Sequence, residues 1–352
     1  MLNYKQAGNA GTFLKGEKMR RTLVSAVAAA AVSASLFAAA PAQAAEVDIT
    51  GSGSSFAYNF LDKCAKQYQA KTGNKVSYTA VGSGNGRKAM AAGTVDFAAS
   101  DSPWSSKDTK PSYATTYAPV IGGAVAIVFN VEGVKELNLD AATIGGLFGG
   151  TITKWNDPAI ANLNPKAKLP DAAVTPVFRK DNSGTTQNFQ EYLNENVGAP
   201  WPAADQVWKG SSTGANVSVS SDMAYKVKTT ANSIGYVDLS DVDVKVGKAA
   251  IKNGKGKFVK PTAAAASKQL SKQTIGTDGL INIDFTNAVT GGYPLSIVTY
   301  IIVPMGVGAK GTAIASFASY AVETCSKKPF KGYAGFTGAN LKKAAWFAKQ
   351  GK

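Results

Sequence analysis

Residues 179–185 bring together a guanidinium, a carboxylate, two hydroxyls and a glycine. The guanidinium and the hydroxyls can bind an anion, and the glycine lets an anion approach the backbone. The stretch joins a strand-like run to apolar residues at helical spacing, so we expect a helix to begin near Ser183 or Thr185. A helix start leaves backbone N–H groups unpaired and partly positive, and a guanidinium such as that of Arg179 can hold two oxygens at once. The pattern indicates either an anion site or an ordinary helix cap beside a surface arginine, since Ser, Thr and Asp are common at helix starts.

Three further polar loops follow predicted strands, at residues 54–56, 82–86 and 100–101, and the second of them precedes a short predicted helix from Arg87 to Ala92. Neither of the glycine-containing stretches, 51–56 and 82–87, fits a dinucleotide fingerprint or a P-loop, because Phe56 and Arg87 replace the last glycine and no Gly-Lys-Ser/Thr follows. The strand–loop–helix alternation is typical of an α/β fold with a largely parallel sheet, which binds ligands beyond the carboxyl ends of its strands. We therefore expect the polar loops to meet at one site.

Two carboxylates, Asp101 and Asp181, lie among these anion-binding groups. A carboxylate repels a fully ionised oxyanion, but it can accept a hydrogen bond from an anion that still carries a proton. Monohydrogen and dihydrogen phosphate carry such a proton, whereas sulfate at neutral pH does not. A buried carboxylate facing sulfate is penalised by on the order of several kcal/mol, so the pattern favours a phosphate site that rejects sulfate.

The N-terminus has the pattern of an upstream extension followed by a secretory signal peptide, together residues 1–44. A basic start at residues 19–21 precedes an alanine-rich apolar run and a small-residue cleavage pattern that ends at Ala44. This cleavage pattern argues against the alternative, an uncleaved membrane anchor. Because no cysteine follows the apolar run, we expect an exported protein without a lipoprotein cysteine, located in the periplasm or at the cell surface or outside the cell.

Cleavage after Ala44 would leave 308 of the 352 residues, a length that suggests two domains. Residues 120–130 and 295–304 are continuous apolar runs, predicted as buried strands that leave the first domain and return to it. The predicted boundaries are residues 45–123 plus 296–352 for lobe I and 124–295 for lobe II.

The chain is basic, with a formal charge of +15. Residues 1–45 carry five basic groups and one acid, so +11 remains for residues 46–352. Residues 245–272 hold eight lysines and no acid. This segment is interpreted as a solvated surface, with contact to an anionic polymer as the alternative.

The sequence contains no histidine and two cysteines. Without histidine, His-based triads and the usual zinc sites are excluded. Cys64 and Cys325 each lie on an apolar stripe of a predicted helix, so a disulfide and two buried free thiols both remain open. Asp238, Asp241 and Asp243 miss the spacing of a calcium loop and are interpreted as solvated acids at a strand edge.

Taken together, these segments resemble the periplasmic phosphate-binding protein family, the substrate-binding proteins of phosphate-specific ABC transporters. The matching segments cover nearly all of the predicted mature chain. They include ITGSGSSF at 49–56, VGSGNG at 81–86, GTVDFAASDSPW at 93–104, VIGGAVAIVFN at 120–130, ITKWNDPAI at 152–160 and RKDNSGTT at 179–186.

The resemblance implies a two-lobed, type II-like periplasmic-binding-protein fold, in which each lobe is a sheet flanked by helices and the ligand cleft lies at the hinge. It implies a monomeric receptor that binds inorganic phosphate and delivers it to a membrane permease, with no cofactor, catalytic step or nucleic-acid partner. The alternatives are a receptor for another oxyanion, an exported phosphatase on the same fold, and a surface or matrix protein that contacts anionic polymers.

Residue by residue, the resemblance implies the following site. Ser55 and Phe56 contact phosphate from a helix start, Ser83 donates, and Asp101 accepts the phosphate proton. Arg179 supplies charge and is held by Asp181, and the second lobe donates from Ser183, Gly184 and Thr185.

Overall fold

The structure, a computed structural model, describes residues 47–352 apart from 199, 200, 203, 243 and 244. The predicted signal peptide and its upstream extension lie outside the described residues. The strands are β1 (Ile49–Gly53), β2 (Val76–Ala80), β3 (Phe97–Ser100), β4 (Thr115–Asn130), β5 (Asn138–Leu139), β6 (Thr175–Arg179), β7 (Ala215–Val217), β8 (Ser233–Asp238), β9 (Gly247–Lys248), β10 (Ala250–Lys252), β11 (Phe258–Val259), β12 (Ser296–Pro304) and β13 (Tyr333–Ala334). The helices are α1 (Tyr58–Thr72), α2 (Ser83–Ala91), α3 (Ala141–Gly149), α4 (Pro158–Ala161), α5 (Gly184–Val197), α6 (Ser220–Thr229), α7 (Ala263–Leu270), α8 (Gly308–Tyr320) and α9 (Gly338–Ala348).

A mixed sheet runs through the molecule in the order β2-β1-β3-β12-β4-β8-β6-β7. The outer strands are parallel, since β1 pairs with β2 and β3, and β6 pairs with β7 and β8. The central strands are antiparallel, because β12 pairs with β3 and β4, and β4 pairs with β8. The expectation of a largely parallel sheet is therefore wrong at the centre, where β12 runs antiparallel to both of its neighbours and β4 runs antiparallel to β12 and β8.

The long strand β4 connects the two halves of this sheet. Its residues up to Ala124 pair with β12, and from Val125 onward it pairs with β8. All of its residues except the two terminal ones are buried. We call lobe I the half with β1, β2, β3, β12, β13 and the first part of β4, and lobe II the half with β6 to β9 and the rest of β4.

Residues 263–295 contact both lobes. Helix α7 packs against β4, β12 and β13, whereas the N–H of Phe285 donates to Glu195 of α5 at 2.9 Å. The predicted lobe boundaries stay a prediction.

A disulfide joins α1 to the C-terminal part of lobe I. It links Cys64 of α1 to Cys325 of the π-helical stretch Ala321–Cys325, which are 261 residues apart in sequence. Both residues are buried. Such a crosslink restricts the unfolded chain and typically contributes about 2–4 kcal/mol to stability.

The lysine-rich segment at residues 245–272 forms β9, β10, β11 and α7. Seven of its lysines are exposed and Lys248 is half-buried. Lys260 forms an exposed ion pair with Glu136 at 2.7 Å. Across the described part of the chain, the helices are too short or too polar to span a bilayer.

Candidate functional site

The connection from β6 to α5 forms the lobe II side of a polar cleft. Helix α5 begins at Gly184, and Ser183 caps it by accepting the N–H of Thr186 at 3.1 Å. Within the described residues, nothing accepts the N–H groups of Gly184 and Thr185. These two donors, at the positive end of the helix, are therefore available to an anion.

Arg179 ends β6, and its side chain is only 2% exposed. Its Nε and Nη2 each donate to one oxygen of the Asp181 carboxylate at 2.6 Å. Nε also donates to the carbonyl oxygen of Ser218 at 3.1 Å, and Nη1 lies 3.4 Å from Ser220 Oγ. Because Asp181 occupies one edge of the guanidinium, the edge of Nη1 and Nη2 is left for an anion.

Ser55 and Phe56 lie just before α1, on the lobe I side. Ser55 Oγ accepts the N–H of Ser220 at 3.1 Å, so the two lobes touch here. The Phe56 ring packs edge-on against Tyr333, with centroids 6.1 Å apart. The N–H of Phe56 donates to none of the described residues, so Phe56 offers a backbone donor rather than its side chain.

Ser83 is the first residue of α2, whereas the sequence predicted a loop at 82–86 and a helix from Arg87. Gly82 has a φ of 88°, in the left-handed region that favours glycine, and this lets the chain turn directly into the helix. Ser83 Oγ accepts the N–H of Asp101 at 3.1 Å. Its own hydroxyl donates only over a long distance, 3.4 Å to Asp101 Oδ2, so its proton can turn to an anion in the cleft.

Asp101 follows β3, and four hydroxyl groups surround its buried carboxylate. Oδ1 accepts from Ser54 Oγ and Thr299 Oγ1, both at 2.6 Å. Oδ2 faces Ser83 Oγ at 3.4 Å and Thr185 Oγ1 at 3.3 Å. The two oxygens thus differ, since Oδ1 makes short hydrogen bonds within lobe I and Oδ2 makes only long ones in the cleft.

The pKa of Asp101 is raised because the carboxyl is buried. The hydroxyls of Ser54 and Thr299, the charge of Arg179 and the hydroxyl of Thr185 oppose this rise. The carboxylate therefore lies in a dry site but keeps donors that stabilise its ionised form.

The cleft is closed in this structure. The N–H of Gly84 in lobe I donates to the carbonyl oxygen of Asn182 in lobe II at 2.9 Å. Asn188 Nδ2 donates to the carbonyl oxygen of Asp101 at 2.8 Å. A Cβ on Gly184 would collide with Ser83 Oγ and lie 2.9 Å from Asp101 Cβ, so only glycine allows this close approach.

All nine residues predicted for the anion site therefore lie around one cleft. Ser54, Thr299 and Ser220 also contribute hydroxyls here, although none of them was a predicted site residue and only Ser54 belongs to a predicted polar loop. Thr299 and Ser296 are the small hydroxyl residues in the mostly apolar run at 295–304, and a hydroxyl in such a buried strand is a usable signal. Ser220 starts α6 at the end of a loop-rich region, and with Ser218 and Ser221 beside it the residue type gives little indication of its partners.

A second contact between the lobes involves Asp238, the last residue of β8. Asp238 is fully buried, which corrects the expectation of a solvated acid. Its carboxylate accepts from Ser240 N at 3.1 Å, from Ser240 Oγ at 2.5 Å and from the Tyr333 hydroxyl at 3.0 Å. Tyr333 of β13 in lobe I, which is far away in sequence, shields the Asp238 side chain from solvent.

Asp241 lies beside this contact and accepts from Asn59 Nδ2 of α1 at 2.6 Å. Burial raises its pKa to about 6. Asp243 lies outside the described residues. Among the residues that the structure describes, no cluster of three or more His, Cys, Asp or Glu could hold a metal ion.

Known proteins resemble this chain over most of its length. A family model described as "PBP superfamily domain" matches residues 38–324. The phosphate-binding protein PstS of Xylella fastidiosa (strain Temecula1 / ATCC 700964) is 34% identical over 270 residues, which cover 74% of this chain and 73% of that protein. The chain belongs to the PstS family of phosphate-binding proteins.

Another PstS relative, from Pasteurella multocida (strain Pm70), is 37% identical over 239 residues, covering 65% of this chain and 68% of that protein. Among solved structures, the phosphate-bound high-affinity periplasmic phosphate-binding protein PfluDING superposes with a TM-score of 0.68 at 20% identity, covering 86% of this chain and 93% of that chain. The predicted fold is confirmed: this PstS family member has the α/β, two-lobed architecture of periplasmic binding proteins.

Proposed function

We propose that this protein is an exported receptor that binds inorganic phosphate between its lobes and delivers it to the permease of an ABC transporter. The observation that carries the proposal is the buried carboxylate of Asp101. One of its oxygens faces a cleft that otherwise offers only donors and the edge of Arg179. The PstS relatives, which are named phosphate-binding proteins, support the same function.

In this proposal the cleft replaces the hydration shell of one phosphate ion. Lobe I donates from the Phe56 N–H and from the hydroxyls of Ser55 and Ser83. Lobe II donates from the N–H groups of Gly184 and Thr185, from the hydroxyls of Ser183 and Thr185, and from Arg179 held by Asp181. Asp101 accepts the proton of the phosphate.

Selectivity follows from the one acceptor among many donors. Phosphate donates its O–H to Asp101 Oδ2, whereas sulfate at neutral pH has no proton to donate. A bound sulfate would leave a buried carboxylate unpaired beside a negative charge, at a cost of about 1–3 kcal/mol or more.

Closure of the lobes around phosphate is the proposed signal to the permease. We place the hinge on β4, where its partner changes from β12 to β8 between Ala124 and Val125. This point is close to the predicted lobe boundary at 123/124. Capture and release involve no catalytic step in this proposal, and the signal-like pattern of residues 1–44 supports export.

Calorimetric titration of the purified protein tests the proposal. We expect tight phosphate binding that excess sulfate does not compete away. An Asp101→Asn variant should admit sulfate, because its side-chain amide can donate to a fully ionised anion. Equal affinity of the unsubstituted protein for both anions would contradict the function, and unchanged selectivity in the variant would remove Asp101 from its assigned role. Hydrolysis of a chromogenic phosphate ester by the pure protein would argue for an enzyme instead.

A further inference from the structure

The two hydroxyls that hold Asp101 from behind the cleft have no role in the ligand contacts described above. We infer that Ser54 and Thr299 are positioning residues that set the anion selectivity of the site, an inference that rests on the proposed phosphate-binding function. They fix the Asp101 carboxylate so that only Oδ2 faces the ligand. They also keep the side chain an acceptor, so the proton in the bound complex must come from the ligand.

Ser54 reaches Asp101 with its only hydroxyl proton. The N–H of Ala57 donates to Ser54 Oγ at 3.3 Å, at the start of α1. Because that N–H occupies a lone pair of Oγ, the Ser54 proton is free to point at Asp101 Oδ1, 2.6 Å away. A distance of this size is typical of a hydroxyl that donates to an ionised carboxylate.

Thr299 approaches the same oxygen from the neighbouring strand. Tyr300 pairs with Ser100 in the antiparallel ladder of β12 and β3, so Thr299 lies opposite Asp101 at the next position. The register of β12 against β4 shifts between Thr299 and Tyr300, because Thr299 pairs with Ile121 and Tyr300 with Pro119, which leaves Val120 of β4 as an extra residue. Thr299 is fully buried, and its Oγ1 lies 2.6 Å from Oδ1.

The result is a carboxylate with one saturated oxygen and one open oxygen. Two short donors occupy the lone pairs of Oδ1. The contacts of Oδ2 with Ser83 and Thr185 are 3.4 Å and 3.3 Å, longer than ordinary O–H···O hydrogen bonds. When those two hydroxyls turn to an anion in the cleft, Oδ2 has no donor left except a proton on the anion itself.

Loss of either hydroxyl should weaken this discrimination by two routes. The carboxyl group would be free to rotate, and the ionised form of Asp101 would lose a donor that lowers its pKa. A protonated Asp101 can donate to sulfate, so the variants should bind sulfate at a higher pH than the unsubstituted protein does.

The other charged and titratable groups around Asp101 stay the same in such variants. They are Arg179 across the cleft, Tyr78 and Tyr300 nearby, and Glu191 and Asp278 in an adjoining cavity of about 320 Å³. Burial raises the pKa values of both tyrosines, which therefore remain neutral near pH 7. Burial also raises the pKa of Glu191, so a Glu191→Gln variant in the same series separates its titration from that of Asp101.

The test uses Thr299→Val, Thr299→Ser and Ser54→Ala, with Ser52→Ala as the matched control. Ser52 is a buried serine of β1 whose hydroxyl has no hydrogen-bond partner among the described residues. Phosphate and sulfate affinities are measured by calorimetry over a pH series from about 5 to about 8. Sulfate keeps its charge over this range, so its binding reports the protonation of Asp101. The titration of phosphate itself is common to all variants.

We expect Thr299→Val and Ser54→Ala to weaken phosphate binding by about 10- to 100-fold. Sulfate binding should extend to higher pH in both variants, and Thr299→Ser should restore the original profile. Thermal unfolding of each variant identifies any that fails to fold, and the other position then carries the test.

Phosphate affinities and sulfate profiles equal to those of Ser52→Ala would overturn the inference while leaving the proposed function intact. Equal loss of affinity in Thr299→Ser and Thr299→Val would also overturn it, because packing rather than the hydroxyl would then matter. A failure of the unsubstituted protein to bind phosphate would instead contradict the proposed function.

Discussion

The lobes meet at two neighbouring places, each built around a buried aspartate. In the cleft contact, Asp101 of lobe I faces Gly184 and Thr185 of lobe II. In the Asp238 contact, Asp238 of lobe II faces Tyr333 of lobe I. The two contacts adjoin, since the Tyr333 hydroxyl lies 2.8 Å from the carbonyl oxygen of Phe56 as well as 3.0 Å from Asp238 Oδ2, and its single proton can be donated to either acceptor.

The difference between them lies in how many hydrogen-bonding groups the protein leaves unpaired. At the Asp238 contact, Ser240 and Tyr333 supply donors to both carboxylate oxygens. At the cleft contact, Oδ2 of Asp101 makes only long contacts, and the N–H groups of Gly184 and Thr185 donate to no described residue. Burial of a carboxylate therefore does not indicate a ligand site by itself. The unpaired groups around it do, because they are costly unless a ligand completes them.

The largest expected effect comes from Arg179→Ala, which removes the cation of the cleft contact. Removing one partner of a buried ion pair typically lowers the free energy of unfolding by about 3–5 kcal/mol. Here it would also leave the Asp181 carboxylate uncompensated in the cleft, where it repels an anion. We expect phosphate affinity to fall by roughly two to three orders of magnitude. Calorimetric titration measures the loss, with Lys154→Ala, which breaks an exposed ion pair, as the control. Phosphate affinity within a few fold of the original would show that the cleft is not the phosphate site.

A matched pair of glycine variants distinguishes the roles of the two contacts. Gly184→Ala places a Cβ against Ser83 and Asp101 across the cleft, and Gly332→Ala places one within 3 Å of Ser240 backbone atoms at the Asp238 contact. Overpacking of this kind costs about 1–3 kcal/mol. We expect Gly184→Ala to weaken phosphate binding by about tenfold or more with little change in stability.

For Gly332→Ala we expect mainly a lower free energy of unfolding, because Gly332 also has a φ of +95° that disfavours a side chain. Denaturant unfolding and phosphate titration of both variants give the comparison. If the two substitutions changed phosphate affinity and the free energy of unfolding equally, the cleft contact would not be the one that serves ligand binding, nor the Asp238 contact the one that serves stability.

Asp238→Asn tests whether the second contact holds a neutral carboxyl. Burial, followed by the nearby charge of Asp241, raises the pKa of Asp238 well above its ordinary value. An acid with a raised pKa in the folded state contributes stability that is fully present below its unfolded pKa, about 3.9, and is lost as the pH rises toward its folded pKa. Because an asparagine side chain does not titrate, the stability of the Asp238→Asn variant does not fall with pH in this way.

We therefore expect Asp238→Asn to be less stable than the unsubstituted protein by about 1–2 kcal/mol at acid pH, with the deficit shrinking as the pH rises. Denaturant unfolding over a pH series measures it, and Tyr333→Phe serves as a control that keeps the carboxyl group. A deficit that grows with pH would show that Asp238 is ionised and stabilising.

The smallest expected effect is that of Asn59→Ala. Asn59 Nδ2 donates to Asp241 Oδ1 at 2.6 Å and to Ser240 Oγ at 3.1 Å. Loss of these donors should lower the free energy of unfolding by about 1 kcal/mol and raise the pKa of Asp241 beyond about 6. Carboxyl chemical shifts followed by NMR over a pH titration report that pKa. A lower pKa in the variant would contradict the assigned hydrogen bond.

The sequence was most informative where the chemistry is local. The start of α5 is predictable because Ser183 caps the helix within its own turn, and Asp181 holds Arg179 from two residues away. The start of α2 was placed four residues late. Gly82, Gly84 and Gly86 favour a loop as isolated residues, but here they allow the backbone of α2 to pass close to other chain segments.

The errors at Asp238 and the omission of Thr299 have a shared cause. Asp238 is covered by Tyr333, 95 residues later, and Thr299 reaches Asp101 from 198 residues away. No local pattern around either residue identifies its distant partner. The two-lobed fold could still be predicted, because the chain length suggests two domains and the matching segments resemble a family with two lobes.

The Cys64–Cys325 disulfide has a consequence for the covalent connectivity of the molecule. Its two cysteines enclose all of lobe II together with β4 and β12. The chain between them is a covalent ring of which lobe II is a part. A protease that cuts once within that ring opens it without separating the two fragments, because the disulfide still links them. The fragments migrate as one species in a denaturing gel until a reductant is added. A lobe II cleaved once in an oxidising environment thus stays attached to lobe I.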